Sequence, residues 1–307
     1  MDVSIIIVNY NTKELLKNCI NSIYTHTKDI EFEIIVSDNG SIDGSIEMIK
    51  KEFPDVILIE NNANLGFGTA NNKGLKIAKG KYIFYLNSDT VLLNNAVKIF
   101  FEYWENSPER DNIGALGANL LNSKKLITHS YGNFLNINNE IISSIKVLFN
   151  ITKFTLLKVL FNKKIPTCLP LSEENKHIGE VDYITGADLF VKNTTDAYFD
   201  ENFFMYCEET DLQYKMSEKD LKRLLIDVPQ IIHLCGASSS SNKELNRITY
   251  FKTFSSIQYY ISRVIYFRNR KEKSIKILFL KLITLFIWFN PFVFKTTRKN
   301  IKILLSK

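Results

Sequence analysis

The chain has 307 residues, 45% of them hydrophobic and 23% charged, with a net charge of +6. That composition allows one large domain, or one domain with an appendage, and excludes global disorder. Cys19, Cys168, Cys207 and Cys235 have neither zinc-like nor disulfide-like spacing, so a reducing compartment is expected and a stapled scaffold is not. A strand begins almost at once and no basic leader precedes it, so no signal peptide is expected and the active part is expected in the cytoplasm.

Residues 4–8 form a continuous apolar run that reads as a strand. A helix over 12–24 follows, with Leu15, Leu16, Cys19, Ile20 and Ile23 at helical spacing and Thr12 as its N-cap. The pattern then repeats. Strand 33–36 leads through the polar loop 37–41 to a helix ending near 51. Strand 56–60 leads to a helix over 70–78 that Gly80 stops. Strand 82–86 leads to a helix over 94–105, and strand 113–117 follows. This alternation implies crossover units and an α/β fold with a mostly parallel central sheet. Ligands of such sheets bind outside the carboxyl ends of the strands. Those ends carry Asn9, Asp38, Asn61 and Asp89.

The second half is less regular. Strands are expected at 181–183, 188–191, 224–228 and 231–234, with a helix over 210–219. Residues 141–164 mix Ile145, Phe149 and Leu157 with Lys146, Lys153, Lys158, Lys163 and Lys164 and contain no acidic residue. They read as a basic amphipathic helix, or helix pair, inserted into a catalytic domain spanning 1–240. Residues 241–307 form a separate helical tail.

The polar ends of the strands carry the chemistry. Asn87-Ser88-Asp89 closes the fourth strand and offers a carboxylate to a hard cation, Mg²⁺ or Mn²⁺; an ordinary turn uses the same residues. Asp38-Asn39 follows a strand as well. Its carboxylate suits the imide N–H of a uracil or thymine, or equally an Asx-turn. Asn64-Leu65-Gly66-Phe67-Gly68 leads into Asn71, and its glycines permit close approach of backbone to a ligand or simply a tight connection. Glu208 and Glu209 follow the apolar run Phe203-Phe204-Met205. They suit a general base with a like-charged neighbour, or a helix N-terminus. His233, before Cys235-Gly236 and a serine-rich loop, suits a diphosphate or a metal shell, or a structural place on a strand.

These segments occur in a specific order: Asn9-Tyr10-Asn11, Asp38-Asn39, the Asn64–Gly74 glycine segment, Asn87-Ser88-Asp89, Thr185-Gly186-Ala187, Glu208-Glu209 and His233. Over about residues 3–240 that order resembles family 2 inverting glycosyltransferases, with the later motifs similar to the rhamnosyltransferase-like branch. The resemblance implies a GT-A fold. It also implies a nucleotide-sugar donor, dTDP-rhamnose or a UDP-sugar, and transfer to a glycan hydroxyl. By resemblance Asn9, Tyr10, Asp38 and Asn39 border the base. Asn64, Gly66, Asn71 and Ser88 belong to the donor site, and Thr185, Gly186 and Ala187 line the sugar pocket. Asp89 binds the divalent metal, with His233 near the diphosphate. Glu209, or Glu208, deprotonates the acceptor. The usual paired aspartates are reduced to Asp89 alone, and the usual Glu-Asp pair is Glu208-Glu209.

The tail adds a partner. From Ile257 onward, twelve basic residues stand against one acidic residue, Glu272. Residues 277–289 are strongly apolar but short of the ~20 residues a span needs, and Lys281 interrupts them. Interfacial helices on anionic lipid are therefore expected, placing the protein peripherally at the cytoplasmic face of the cell membrane. A lipid-linked glycan acceptor in bacterial surface polysaccharide synthesis follows as the expected partner. A sugar nucleotidylyltransferase would need an Arg-containing glycine loop after the first strand, where Asn9-Tyr10-Asn11 stands. A non-catalytic membrane-bound scaffold would not need Asp38, Asp89, Glu208, Glu209 and His233 together. Nucleic acid is not an expected partner, because the body is net acidic and the tail is too apolar for a phosphate-tracking arm.

Overall fold

The computed structural model describes residues 1–161, 175–234, 254–289 and 298–306. Cys168, Cys235, Gly236, the serine-rich loop and residues 162–164 of the basic stretch lie outside them. The chain divides into two compact units. One comprises Met1–Phe134, Ser172–Phe204 and Glu208–Ser240; the other comprises Leu135–Leu171, Met205–Cys207 and Ser241–Lys307.

The first unit is built on β1 (Val3–Asn9), β2 (Phe32–Asp38), β3 (Ile57–Glu60), β4 (Tyr82–Asn87), β6 (Ile113–Ala118), β8 (Gly179–Glu180), β10 (Asp188–Lys192) and β11 (Lys222–Ile226). They form one eight-stranded sheet in the order β3-β2-β1-β4-β10-β6-β11-β8. The β1–β2, β1–β4, β2–β3 and β6–β11 pairs are parallel, whereas β10 runs antiparallel between β4 and β6. The apolar runs of β1, β2 and β4 are continuous because both faces are covered. Ile5, Ile7 and Phe84 pack on one side with Leu16 and Ile20 of α1 (Lys13–His26) and Phe100 of α4 (Ala96–Asn106). Ile6, Ile35 and Tyr85 pack on the other with Leu212 and Met216 of α6 (Glu208–Ser217). α2 (Ser45–Glu52) and α3 (Phe67–Leu75) complete the crossovers.

Thr12 occupies the N-cap position of α1 but makes no capping bond. Its hydroxyl instead donates to Asn9 Oδ1 at 2.6 Å, and Asp43 accepts from the Lys13 amide at 2.9 Å. α3 begins at Phe67, earlier than its apolar spacing predicts, because Gly66 lets the chain turn directly into it. The short strands β5 (Thr90–Leu92), β7 (Tyr131–Gly132) and β9 (Tyr183–Ile184) carry too few residues for a periodicity signal. β5 pairs with β12 (Ile231–His233), and β7 with β9.

The second unit is helical. It contains α5 (Ile137–Phe161), α7 (Phe254–Asn269), α8 (Ser274–Phe289) and α9 (Arg298–Ser306). α5 covers most of the basic stretch that the sequence places as an insertion within the 1–240 domain; in the structure it groups with the tail helices instead. The reason is local. α5 packs along α8, and its Glu140 accepts from the buried Arg263 of α7 at 2.5 Å. The Arg263 guanidinium also sits 4.4 Å from the Tyr260 ring centroid, which compensates part of its desolvation. Met205–Cys207 belongs to this unit as well, with Ser262 Oγ donating to the Met205 carbonyl at 2.8 Å.

Candidate active site

Strand register sets the site. Parallel pairing puts Asn9 opposite Asp38 and Val8 opposite Asn87, so the polar ends of β1, β2 and β4 line one edge of the sheet. Asn9 is fully buried, and its amide donates to Asp38 Oδ2 at 2.7 Å and to Ser41 Oγ at 3.0 Å. Asp38 Oδ1 accepts from the amides of Gly40 and Ser41 at 3.0 and 2.7 Å. A carboxylate has about four acceptor directions, so most of those of the fully buried Asp38 are taken within the protein. Tyr10, beside this cluster in sequence, is 47% exposed.

Asn39 and Asn64 are engaged within the protein. Asn39 Nδ2 donates to the Gly66 carbonyl at 3.1 Å and to Asn64 Oδ1 at 3.3 Å, and Asn39 Oδ1 accepts from Asn61 at 3.0 Å. Asn64 Oδ1 accepts from the Gly66 amide at 3.0 Å. The requirement for glycine at 66 is set by protein, not by a phosphate. Its φ is +87°, and a Cβ there would lie 2.2 Å from the Phe204 carbonyl oxygen. Phe67 N donates to that same oxygen at 2.9 Å. Gly68 abuts Phe199 and Glu208 in the same way, and Asn71 donates to the Phe67 carbonyl at 3.2 Å. The glycine segment therefore props up the start of α6, where the acidic pair lies.

The metal-type cluster is assembled by the β5–β12 ribbon. Antiparallel pairing sets His233 against Thr90, and the Leu234 amide donates to the Asp89 carbonyl at 2.9 Å. His233 Nε2 then lies 3.3 Å from Asp89 Oδ1 and 3.4 Å from Asn87 Nδ2. Ser88 Oγ is 2.9 Å from Thr12 Oγ1, which ties the triplet to the start of α1. Asp89 Oδ1 offers the hard oxygen ligand that Mg²⁺ or Mn²⁺ takes, whereas an imidazole nitrogen suits softer divalent ions. Among the described residues no group of three or more His, Cys, Asp or Glu side chains is placed to cage a metal. Of this cluster, Asp89 is the side chain whose chemistry would fit such a cation.

Glu208 and Glu209 open α6, next to two consecutive non-glycine residues in the left-handed region, Tyr206 and Cys207, at φ 71° and 65°. Such conformations cost about 1–3 kcal/mol each and persist where the surroundings impose them. Burial pushes the Glu208 carboxyl well above the usual carboxylate range, and the charge of Glu209 adds to that. Burial also raises Glu209, while its own and the Thr210 amide, and the charge of His129, oppose the rise. The Oε2 atoms of both, and the buried hydroxyl of Thr185, have no hydrogen-bond partner among the described residues. Buried polar atoms are normally paired, so the orphan oxygens of the adjacent Glu208 and Glu209 suit a site completed by substrate.

Thr185-Gly186-Ala187 joins the two clusters. Asn87 N donates to the Ala187 carbonyl at 3.0 Å, and a Cβ on Gly186 would lie 3.7 Å from Glu209 Cβ. Two residues were missed in the sequence. Asp188 is fully buried, its Oδ2 accepts from the Ala118 amide at 2.7 Å, and burial raises its carboxyl strongly, opposed by that bond and by the charge of His233. A carboxylate opening an otherwise apolar strand was the available signal. His129 had none; only the fold brings its charge to bear on Glu209.

The pair has a consequence for stability. A carboxyl whose pKa is raised on folding makes the folded state bind more protons, so stability is lost as pH rises from the unfolded carboxyl range through the folded one. Glu208→Gln removes that loss. Its melting temperature is expected to exceed that of the parent by more at about pH 8 than at about pH 4. Equal shifts at both pH values, read by thermal unfolding, would show that Glu208 is not destabilised by ionisation.

Residues 4–165 match glycosyl transferase family 2. The poly(ribitol-phosphate) beta-glucosyltransferase of Bacillus spizizenii is 32% identical over 121 residues, covering 38% of this chain and 19% of that protein. WfaP of Escherichia coli, a UDP-Glc:alpha-D-GlcNAc-diphosphoundecaprenol beta-1,3-glucosyltransferase, is 38% identical over 121 residues, covering 36% of this chain and 47% of that protein. The matched stretch is thus less than half the length of either relative. Among solved structures, S. aureus TarS in complex with UDP-GlcNAc superposes with a TM-score of 0.55 at 14% identity, over 100% of this chain and 79% of that one. The mannosyltransferase PcManGT from Pyrobaculum calidifontis, in complex with GDP-Man and Mn²⁺, gives 0.55 at 12% identity, over 99% and 73%. At these identities the likeness is one of fold, the α/β fold of GT-A glycosyltransferases. With its family match spanning over half of its 307 residues, the chain belongs to glycosyl transferase family 2.

Proposed function

We propose that this protein is an inverting glycosyltransferase that moves a sugar from a nucleotide-diphosphate donor to a hydroxyl of a lipid-linked glycan, in bacterial surface polysaccharide synthesis. The observation that carries the reading is the Thr185–Ala187 segment, which borders Asn87 at Ala187 and Glu209 at Gly186. A sugar held along it has the Asp89 cluster on its diphosphate side and a buried carboxylate on its acceptor side. Tyr10 is the exposed group offered to the base, with Asp38 buried in the neighbouring strand-end cluster. Glu209 takes the proton of the attacking hydroxyl, burial keeps its affinity for that proton high, and the surrounding apolar residues exclude water. Asp89 would hold Mg²⁺ or Mn²⁺, which when bound offsets charge on the leaving diphosphate.

Of the donors the sequence admits, a UDP-hexose has more support than dTDP-rhamnose. WfaP is named for UDP-Glc and TarS is solved with UDP-GlcNAc, and neither relative named above is a rhamnosyltransferase. The diphosphoundecaprenol acceptor in WfaP's name and the basic helices of this chain support a lipid-linked acceptor and a peripheral place on the membrane. The test is donor binding by calorimetry with UDP, dTDP and GDP sugars, with and without Mn²⁺. Asp89→Ala is expected to abolish the Mn²⁺-dependent part of the affinity and leave the metal-free part near the parent value. Equal Mn²⁺ dependence in parent and variant would remove Asp89 from the metal role.

A further inference from the structure

α8 presents an apolar face to solvent that the described residues of the helical unit do not cover. Ile275 is 69% exposed, Leu278 49%, Phe279 47%, Leu282 43%, Phe286 64% and Phe289 50%. At helical spacing these six fall within an arc of about 100°. Leu280, Ile283, Thr284, Ile287 and Trp288, on the other side of the helix, are buried. The fold has therefore chosen which apolar side goes inside and left an equally apolar one outside. Exposed apolar faces of this extent mark interaction surfaces.

Charge decides the occupant. Lys276 and Lys281 flank the stripe on its two sides, and the exposed Lys271 and Lys273 precede it. α7, α8 and α9 contain no acidic residue, and Glu272 is the acidic residue in the link between α7 and α8. A second copy docked on this face about a two-fold axis would bring lysine rows against lysine rows, with no carboxylates to offset them. An anionic lipid surface supplies both the apolar layer and the negative charge. Length then decides between lying on the membrane and crossing it. From Ile275 to Phe289 the stripe is about 21 Å long, short of the ~30 Å hydrocarbon layer. Among the described residues no helix is long and apolar enough to cross. In the same unit, α5 exposes Ile142, Ile145 and Phe149 beside Lys146.

We propose that the Ile275–Phe289 face of α8 is the surface by which this protein lies in the interface of an anionic bilayer, its apolar stripe among the acyl chains and its lysines at the headgroups. This deepens the peripheral-membrane part of the proposed function. It assigns the contact to one face of one helix, where the sequence offered only a basic aromatic tail.

The experiment is flotation of the full chain with vesicles of phosphatidylcholine alone and of phosphatidylcholine mixed with phosphatidylglycerol. The parent is expected to float with the mixed vesicles. Ile275→Glu/Leu282→Glu/Phe286→Glu is expected to lose at least about tenfold in partitioning, and Phe286→Glu alone a smaller part of that. Lys273→Gln/Lys276→Gln is expected to lose about fivefold per lysine on mixed vesicles only. All replaced residues are at least partly exposed, and unchanged thermal unfolding confirms that each variant folds. Parent-like flotation of the triple variant overturns the proposal. So does a parent dimer in sedimentation equilibrium that the triple variant abolishes, which would give the face to a second copy. Sugar transfer to a water-soluble acceptor, measured on the same proteins, separates the readings. Its absence in the parent would sink the transferase proposal and leave the vesicle result standing.

Discussion

Glu209→Gln is expected to lose about 10²–10⁴-fold in turnover, the usual worth of a general base, with donor affinity nearly unchanged. The replacement keeps the shape of the side chain and removes its capacity to accept a proton. Glu209 is the member of the pair whose Cβ abuts Gly186, next to the proposed sugar segment. Like that of Glu208, its Oε2 has no hydrogen-bond partner among the described residues, as a base awaiting a hydroxyl would have none. The pH dependence follows from the direction of its shift. A base must be ionised, and burial holds Glu209 above the ordinary carboxyl value. The acid limb of the kcat/KM profile is therefore expected above about pH 4.3, with activity rising as pH increases through it. Steady-state kinetics against pH measure both effects. Parent-like turnover in Glu209→Gln would move the role to Glu208.

Gly66→Ala should be nearly as damaging, although position 66 has no chemistry of its own. Its backbone lies at φ 87° and ψ 176°, and an added Cβ would meet the Phe204 carbonyl oxygen at 2.2 Å. That conformation costs a non-glycine residue about 1–3 kcal/mol. The clash also displaces the acceptor of the Phe67 amide, a bond worth about 0.5–1.5 kcal/mol. Phe204 cannot yield freely, because the preceding Phe203 is fully buried. Melting temperature is expected to fall, by roughly 2–4 °C for each kcal/mol lost. Turnover is expected to fall further than stability alone explains, because Phe204 leads directly to Glu208 and Glu209. Calorimetric unfolding and turnover on one preparation measure the two. An unchanged melting temperature would mean that the loop relaxes without cost.

Gly66 and Asp89 differ in how much of their setting is legible in the sequence. The order of motifs marks Gly66 as a donor-site residue and Asp89 as a metal ligand. Asp89 was placed by a strand that reads plainly, since Tyr82–Leu86 is a continuous apolar run. Gly66 was recognised too, but the reason for it was not. A sequence records that a backbone must come close to something, while the identity of the neighbour, here Phe204, depends on a segment more than a hundred residues away. His129 and Asp188 were missed for a related reason. Neither sits in a local pattern, and each gains its setting only when distant elements pack.

By itself the sequence determined the alternation of strands and helices, the parallel β1, β2 and β4 core, and the polar residues at their carboxyl ends. These depend on local periodicity and on the two-faced burial that crossover helices impose. The tertiary structure alone decided three things. It set β10 antiparallel between β4 and β6, which brings Thr185–Ala187 beside Asn87. It paired β5 with β12, which brings His233 to Asp89. It turned one apolar side of α8 inward and left the other exposed. Strands of two or three residues carry no period, and a helix apolar all round does not say which side it will bury. In each case the decision belongs to the partner surface, which exists only once the chain has folded.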